Sequence, residues 1–158
     1  MKMEDSDSNL VKITFYVSKP DGKEVTETMW ARQLHDNTYV IDNSPFDAFG
    51  VSYMDRVRVT NENGLLTFAG VVERGGHSTY RIKMRGGAGH EVFLKYWPIL
   101  ALLGCTYEGA DTTPRLYSID IPRQEAVKTA YAYLEDLEKK GVWYFEEAHY
   151  FHPDKSNE

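Results

Sequence analysis

Residues 65–84 read LLTFAGVVERGGHSTYRIKM, and this stretch decides how the chain divides. Two apolar-rich runs, residues 65–72 and 79–84, flank the polar segment ERGGHS at residues 73–78. Both runs favour β-strands, because β-branched and aromatic residues suit a half-buried pleated surface. The polar segment combines glycine, charge and imidazole. It therefore predicts a turn between two strands and is the first place to look for a site.

Upstream of this stretch, short apolar segments alternate with turn signals. Strands are predicted at residues 11–17, 25–33, 38–41 and 56–60. Pro20-Asp21-Gly22 is typical of a turn, and Asn63-Gly64 is a strong hairpin signal. Together with the run at 65–72, the tight spacing predicts about five antiparallel strands. We expect them to form a small β-barrel-like half over residues 10–76.

Residues 43–53, NSPFDAFGVSY, interrupt this pattern. The residue before Pro45 is restricted in conformation, and Gly50 indicates a positive φ. The rings of Phe46, Phe49 and Tyr53 are predicted to cap the open end of the barrel. Stacking on a ligand is the alternative.

Downstream of residue 84, the spacing of apolar residues and turn signals predicts both helices and strands. Proline is tolerated in the first turn of a helix, so Pro98 predicts a short helix over residues 97–103, ended by Gly104. Short strands follow at residues 105–108 and 115–121. A longer helix over residues 124–140 has apolar residues at helical spacing, namely Val127, Ala130, Tyr131, Leu134 and Leu137.

A last strand is predicted at residues 142–151. Counted from Thr79, the order is then β-α-β-β-α-β, which predicts a ferredoxin-like half over residues 77–152. The expected fold class is therefore α+β, with a barrel-like N-terminal half and a ferredoxin-like C-terminal half. The polar residues 1–9 and 153–158 are predicted to be tails, the first of them disordered.

The composition is that of a folded protein: 158 residues, of which 42% are hydrophobic and 13% aromatic. One cysteine, Cys105, favours a reducing compartment. The N-terminal residues MKMEDSDSN do not resemble a targeting segment, and the apolar run at 97–105 is too short to span a membrane. We expect a cytoplasmic protein that does not contact a membrane.

The charge distribution bears on the partner. The net charge of −6 argues against nucleic acid as a partner, since that binding needs a positive field. However, residues 74–95 contain five basic residues and one acidic residue. This basic segment is interpreted as a solvated face, with orientation of a protein partner or binding of RNA as alternatives.

The predicted binding residues surround the polar segment: Glu73, Arg74, His77, Ser78, Tyr80 and Glu108. His77 has the chemistry of a general base or of a recognition contact. The alternative is that the Gly-Gly-His-Ser turn uses its side chains only to close the backbone. No catalytic residue is assigned.

Other reactive groups are explained by simpler roles. Cys105 could be a nucleophile beside His77, but it is expected to be a small buried residue. Glu73, Glu108 and Asp111 lack the spacing of a metal loop. His149 and His152 are three apart on a predicted strand and so point to opposite faces. Neither a metal nor a cofactor is predicted.

Several phrases carry a resemblance to a known family. They are NSPFDAFGVSYMDRV (residues 43–57), VVERGGHSTYRI (71–82), LLGCTYEG (102–109), RLYSIDIP (115–122) and GVWYFEEAH (141–149). In these phrases the chain resembles a bacterial family known only as a domain of unknown function, DUF4265. The resemblance implies a family but no reaction, and it permits a role as the immunity partner of a toxin.

The predicted function is a non-enzymatic bacterial protein that binds another protein, as immunity and antitoxin proteins do. It follows from the lack of a catalytic constellation, the acidic balance and the many aromatic residues. The alternative is a small ligand-binding module or enzyme with its site at residues 73–80.

Overall fold

The computed structural model describes residues 10–111 and 113–153. The predicted tails at residues 1–9 and 153–158 lie outside the described residues, apart from Pro153. The elements are β1 (Leu10–Ser18), β2 (Glu24–Gln33), β3 (Tyr39–Ile41), β4 (Arg56–Glu62), β5 (Leu65–Glu73), β6 (Ser78–Met84), α1 (His90–Leu102), β7 (Thr106–Gly109), β8 (Leu116–Ile121), a 3₁₀ turn (Gln124–Ala126), α2 (Val127–Lys139) and β9 (Trp143–His149). The protein is a mixed α+β fold with two sheets and two helices, which confirms the predicted class.

The first sheet contains β1 to β5, paired in chain order. The β4–β5 hairpin turns at Asn63 and Gly64, whose φ angles are 56° and 90°. These positive values are what a two-residue hairpin turn requires, which explains the Asn-Gly pair. Inside the sheet lies a core of apolar side chains, among them Ile13, Met29 and Ile41.

The sheet is a looser ring than the predicted antiparallel barrel. β1 pairs with β5 through one residue pair, Thr14 with Thr67, and these strands run parallel. A parallel closure follows from counting, since the first and fifth of five alternating strands point the same way. β3 is only three residues long and forms two pairs with β4, so the ring is thin there as well.

The second sheet has the strand order β7-β8-β6-β9, and all neighbours are antiparallel. One face carries alternate apolar residues of β6 and β8, which pack against α1 and α2 in the second core. The opposite face carries Thr79 and Arg81 of β6 and Ser118 and Asp120 of β8, all of them buried. Because strand side chains alternate between faces, this sheet has one apolar and one polar face.

Helix α1 begins seven residues before the predicted start, so the prediction of a short helix over residues 97–103 is wrong. Pro98 lies inside the helix. An interior proline costs roughly 3 kcal/mol. Burial of Phe93 and Leu100, both 0% exposed, offsets this cost, since each contributes roughly 1.5–3 kcal/mol. The helix therefore continues through its proline.

Helix α2 lies close to its predicted position. Val127, Ala130, Leu134 and Leu137 are buried as their spacing predicts. Tyr131 remains 40% exposed at the edge of this face. Among the residues that the structure describes, no helix combines the length and the apolarity needed to cross a membrane.

Residues 42–55, here called the bridging loop, join the two halves. The backbone of this loop contacts β2 of the first sheet and the polar face of the second sheet. The chain passes between the sheets at residues 74–77, where a Cβ added to Gly75 would overlap the carbonyl oxygen of Met54. This glycine is needed for close packing. The predicted division into domains at residue 76 stays a prediction.

Candidate functional site

Polar side chains lie between the polar face of the second sheet and the bridging loop, and together they are here called the polar layer. The most reactive geometry in this layer is a histidine–aspartate pair. His77 Nδ1 lies 2.9 Å from both carboxylate oxygens of Asp120. The two side chains are 17% and 7% exposed. A carboxylate can only accept, so Nδ1 carries the proton and Nε2 is left as the basic nitrogen. The rings of Tyr53 and His77 pack edge to face with their centroids 5.2 Å apart, and this contact further restricts the orientation of the imidazole.

Other carboxylates lie around Glu108, which is an exposed residue of the edge strand β7 and pairs with Ser118 of β8. The Glu108 carboxylate accepts a hydrogen bond from the Ser44 N–H at 3.1 Å. Burial raises the pKa of Glu108, and the charges of Asp120, Asp42 and Glu27 act in the same direction. The Ser44 hydrogen bond opposes this rise. Carboxylates therefore cluster around Glu108.

Cys105 precedes β7 and is 5% exposed. Burial, with a smaller effect from the Asp120 charge, raises the pKa of its thiol to about 12. Since the thiolate is the nucleophilic form, this sulfur is protonated at neutral pH. The environment of Cys105 is that of a packed core residue.

A second polar network joins the two halves. Ser52 Oγ of the bridging loop lies 2.6 Å from Thr79 Oγ1 and 2.7 Å from His149 Nδ1. A serine–histidine contact has the form of an activated nucleophile. However, Ser52 and Thr79 are 0% exposed, so a substrate cannot reach the hydroxyl. The network acts as a joint between the sheets.

Asp55 fixes the other end of this joint. Its carboxylate accepts the Ser52 N–H, the Gly75 N–H and Arg74 Nη1, all at 2.9 Å. Arg74 also donates to the Gly50 carbonyl at 2.8 Å. One buried carboxylate thus holds the bridging loop and the connection between the sheets together.

The joint predicts a pH dependence of stability. Burial, followed by the nearby Arg74 charge, lowers the pKa of His149 from its ordinary value of 6.5. The unfolded chain therefore takes up a proton as the pH falls through 6.5 while the folded chain does not. We expect the free energy of unfolding to fall from about pH 7.5 to about pH 5.5, and to fall less in His149→Asn.

Urea unfolding at the two pH values measures this effect. His152→Asn is the matched control, because His152 packs only on the edge of Tyr150 among the described contacts. It should keep the wild-type pH dependence. If His149→Asn keeps the wild-type pH dependence of the free energy of unfolding, that dependence does not come from His149.

The six predicted binding residues do not share one cleft. Glu73 pairs with Arg56 at 3.4 Å, and its side chain is 70% exposed. The Ser78 hydroxyl accepts the Phe151 N–H in the core. Tyr80 lies on the helix-facing side of β6 and donates to Glu147 at 2.6 Å. The remaining three, Arg74, His77 and Glu108, lie in the polar layer.

The basic segment is also divided. Arg74 and Arg81 turn inward to Asp55 and Glu146, whereas Lys83 and Arg85 lie near Tyr144 at one end of the sheet. Lys95 lies over the ring of Tyr96 on α1. His149 and His152 make the separate contacts given above. Within the described residues, no three His, Cys, Asp or Glu side chains are placed to hold a metal.

Sequence reasoning missed Asp120, Ser52 and Arg81. A signal was present for two of them, since Arg81 stands between the apolar residues Tyr80 and Ile82, and Asp120 between Ile119 and Ile121. Charges at alternate positions of a central strand indicate a second buried face. The partner of that face, the bridging loop, lies about 35 residues away in sequence and could not be inferred locally.

The fold and the polar layer define a mixed α+β protein whose two sheets are joined by a buried hydrogen-bonded network. The model of the family described as "Domain of unknown function (DUF4265)" matches residues 27–145. The chain belongs to this family, which confirms the resemblance in its sequence. No curated protein matches it significantly.

A solved structure shares the fold. It is described as "Novel crystal structure of a hypothetical protein from Neisseria gonorrhoeae". The TM-score is 0.77 at 16% sequence identity, and the alignment covers 89% of this chain and 95% of the other. At this identity the similarity establishes the fold alone.

Proposed function

We propose that this is a non-enzymatic protein that binds another protein through the outer face of α1. Leu94, Ile99 and Leu102 on this helix are 44%, 45% and 82% exposed. Leu94, Pro98 and Leu102 are four residues apart and so lie along one stripe. A helix that is apolar on its outer face as well as its inner face is typical of an interface. This observation carries the proposal.

The placement of the reactive groups supports a binding role. Ser52 and Thr79 are enclosed, Cys105 is a protonated core thiol, and Arg81 binds backbone carbonyls. These groups stabilise the junction of the sheets. A rigid junction suits a protein that presents a preformed surface.

The narrower form of the proposal is an immunity or antitoxin protein of a bacterial cytoplasm, whose partner is a toxin. The net charge of −6 would attract a basic partner and speed their association. The single, buried cysteine fits a reducing compartment.

Calorimetry with each protein encoded beside the gene tests the proposal. We expect one of them to form a complex, and Leu102→Gln to weaken it by at least about tenfold. Leu65→Gln is the matched control, since Leu65 is 49% exposed on the β4–β5 hairpin, and it should bind like the wild type. The absence of any complex, or an undiminished affinity in Leu102→Gln, would overturn the proposal. So would a dimer of this chain that Leu102→Gln dissociates, because that would assign the face to a second copy.

The second candidate is a ligand-binding module or enzyme that uses His77. The observation that favours it is the His77–Asp120 contact, which would hold the imidazole as a general base. A small molecule that stabilises the wild type but not His77→Asn against heating would support it. Equal stabilisation of both would count against it.

The finer fold assignment is part of the proposal. The order β7-β8-β6-β9 with antiparallel neighbours supports a ferredoxin-like C-terminal half. The pairing of β1 with β5 supports a barrel-like N-terminal half.

A further inference from the structure

One row of the polar face of the second sheet is not covered by the bridging loop. In the covered row, Arg81 pairs across the sheet with Ser118 and Glu146. Arg81 and Ser118 both donate to loop carbonyls. In the next row, Lys83 pairs with Leu116 and Tyr144. Here Lys83 is exposed and Tyr144 is 55% exposed.

The open row forms a groove of about 230 Å³. Two of its lining residues make cation–π contacts. The Arg81 guanidinium lies 4.7 Å from the ring centroid of Phe49 of the bridging loop, and the ring centroid of Tyr144 lies 4.5 Å from the Arg85 guanidinium. The groove is lined by Arg81, Ile82, Lys83, Leu116, Tyr144, Phe145 and Glu146. It combines apolar surface with aromatic and basic groups.

Two bases lie at this end of the sheet. Lys83 of β6 lines the groove, and Arg85, which follows β6, lies over the ring of Tyr144. Within residues 10–111 and 113–153, neither of the two forms an ion pair. In contrast, the Glu146 charge is compensated by Arg81 at 2.7 Å. A local positive surface therefore exists on a chain of net charge −6.

We infer that this groove binds an acidic segment of a protein partner. An aromatic or aliphatic side chain of that segment packs on Leu116 and Tyr144, and its flanking carboxylates pair with Lys83 and Arg85. Charge complementarity favours this occupant, because arginine and lysine beside an aromatic ring suit carboxylates that flank an apolar anchor.

Nucleic acid is the less favoured occupant. A strand of RNA or DNA is bound by a long positive track and several stacking rings. The open row presents one exposed ring, Tyr144, and the net charge of the chain is negative. The groove also lies on the sheet face opposite the helices. A result that overturns the groove proposal can therefore be distinguished from one that overturns the proposed α1 interface.

Fluorescence anisotropy with labelled probes tests the inference. The probe is a nine-residue peptide of Asp and Glu with one central Phe, and the comparison peptide has Ala in place of Phe. We expect the first peptide to bind several-fold more tightly than the second. We expect Lys83→Glu and Arg85→Glu each to weaken binding by about tenfold, and Tyr144→Ala to remove the preference for Phe.

Lys23→Glu is the matched control, because it makes the same charge change on an exposed turn of the other half. It should leave the affinity within about twofold of the wild type. An equal loss of peptide affinity in Lys23→Glu and Lys83→Glu would show that only the net charge of the chain matters, and it would overturn the inference. Lack of binding by the Phe peptide would overturn it too. Tighter binding of a single-stranded oligothymidine than of the peptide would assign the groove to nucleic acid instead.

Discussion

Replacement of Arg81 by methionine is expected to destabilise the protein by roughly 3 kcal/mol. Arg81 is 2% exposed at the centre of the second sheet. Its guanidinium donates to the Ala48 carbonyl at 2.8 Å and to the Pro45 and Asp47 carbonyls at 3.3 Å. Methionine fills similar volume but donates nothing, so the buried Ala48 carbonyl loses its bond.

The ion pair of Arg81 contributes little to this effect. Its partner Glu146 is 46% exposed, and an exposed carboxylate is solvated when the pair is broken. Arg81→Lys should therefore also destabilise, because one ammonium cannot reach three carbonyls as the guanidinium fork does. We expect its loss to be about half that of Arg81→Met.

Urea unfolding of the two variants checks this prediction, with Lys83→Met as the matched control. Lys83 lies two residues along the same strand and face, but it is exposed, so its replacement should cost under about 0.5 kcal/mol. Equal stability of Arg81→Met and Lys83→Met would show that the bridging loop does not depend on this guanidinium.

The second large effect is expected at Glu27. This side chain lies on the inner face of β2 and is 8% exposed. Its carboxylate accepts the N–H groups of Phe46, Asp47 and Ala48 at 2.6, 2.9 and 2.8 Å. Three backbone donors that converge on one buried carboxylate form charge-assisted hydrogen bonds, which are stronger than neutral ones.

Glu27→Gln is expected to lower the free energy of unfolding by about 3 kcal/mol. The substitution keeps the shape but removes the charge, and the amide NH₂ meets a backbone N–H where an oxygen was required. Glu24→Gln, exposed on the same strand, should cost under about 0.5 kcal/mol. Chemical denaturation measures both, and a cost at Glu27 no larger than at Glu24 would contradict the anchoring role.

Both predictions concern residues 42–55, which the sequence marks only as a break between strands. The apolar alternation of β2 places Glu27 on the same side as Met29 and Ala31, yet it does not reveal why a carboxylate is buried there. The reason is the loop backbone, whose donors have no strand partner and must be satisfied when buried. A buried charge on an apolar face is thus a sign of a loop packed against it.

The predicted site shows the same limit. The glycine, charge and imidazole of residues 73–78 predict a site there. In the structure, Gly75 serves close packing, Arg74 holds Asp55 and His77 contacts Asp120. The local pattern identified the connection between the sheets. It could not identify the partners of these side chains, because each lies on a different element.

The sequence by itself determined the elements with strong local signals. These signals are strand alternation, the Asn63-Gly64 turn and the spacing of apolar residues along α2. Each depends only on residues that are close together in the sequence, so it can be recognised from the sequence alone. Short segments of the sequence likewise indicated the family. Helix α1 was the exception, since Pro98 locally indicates a helix start near residue 97, whereas long-range burial stabilises a helix that begins at His90.

Only the tertiary structure decided how residues 65–84 work. The two runs became β5 and β6, strands of different sheets, and the polar face of β6 became the surface on which the bridging loop packs. The exposed stripe on α1 and the basic groove beside Tyr144 were likewise fixed by packing. Whether a side chain is buried, paired or free depends on contacts between distant segments, and a single sequence does not contain these contacts.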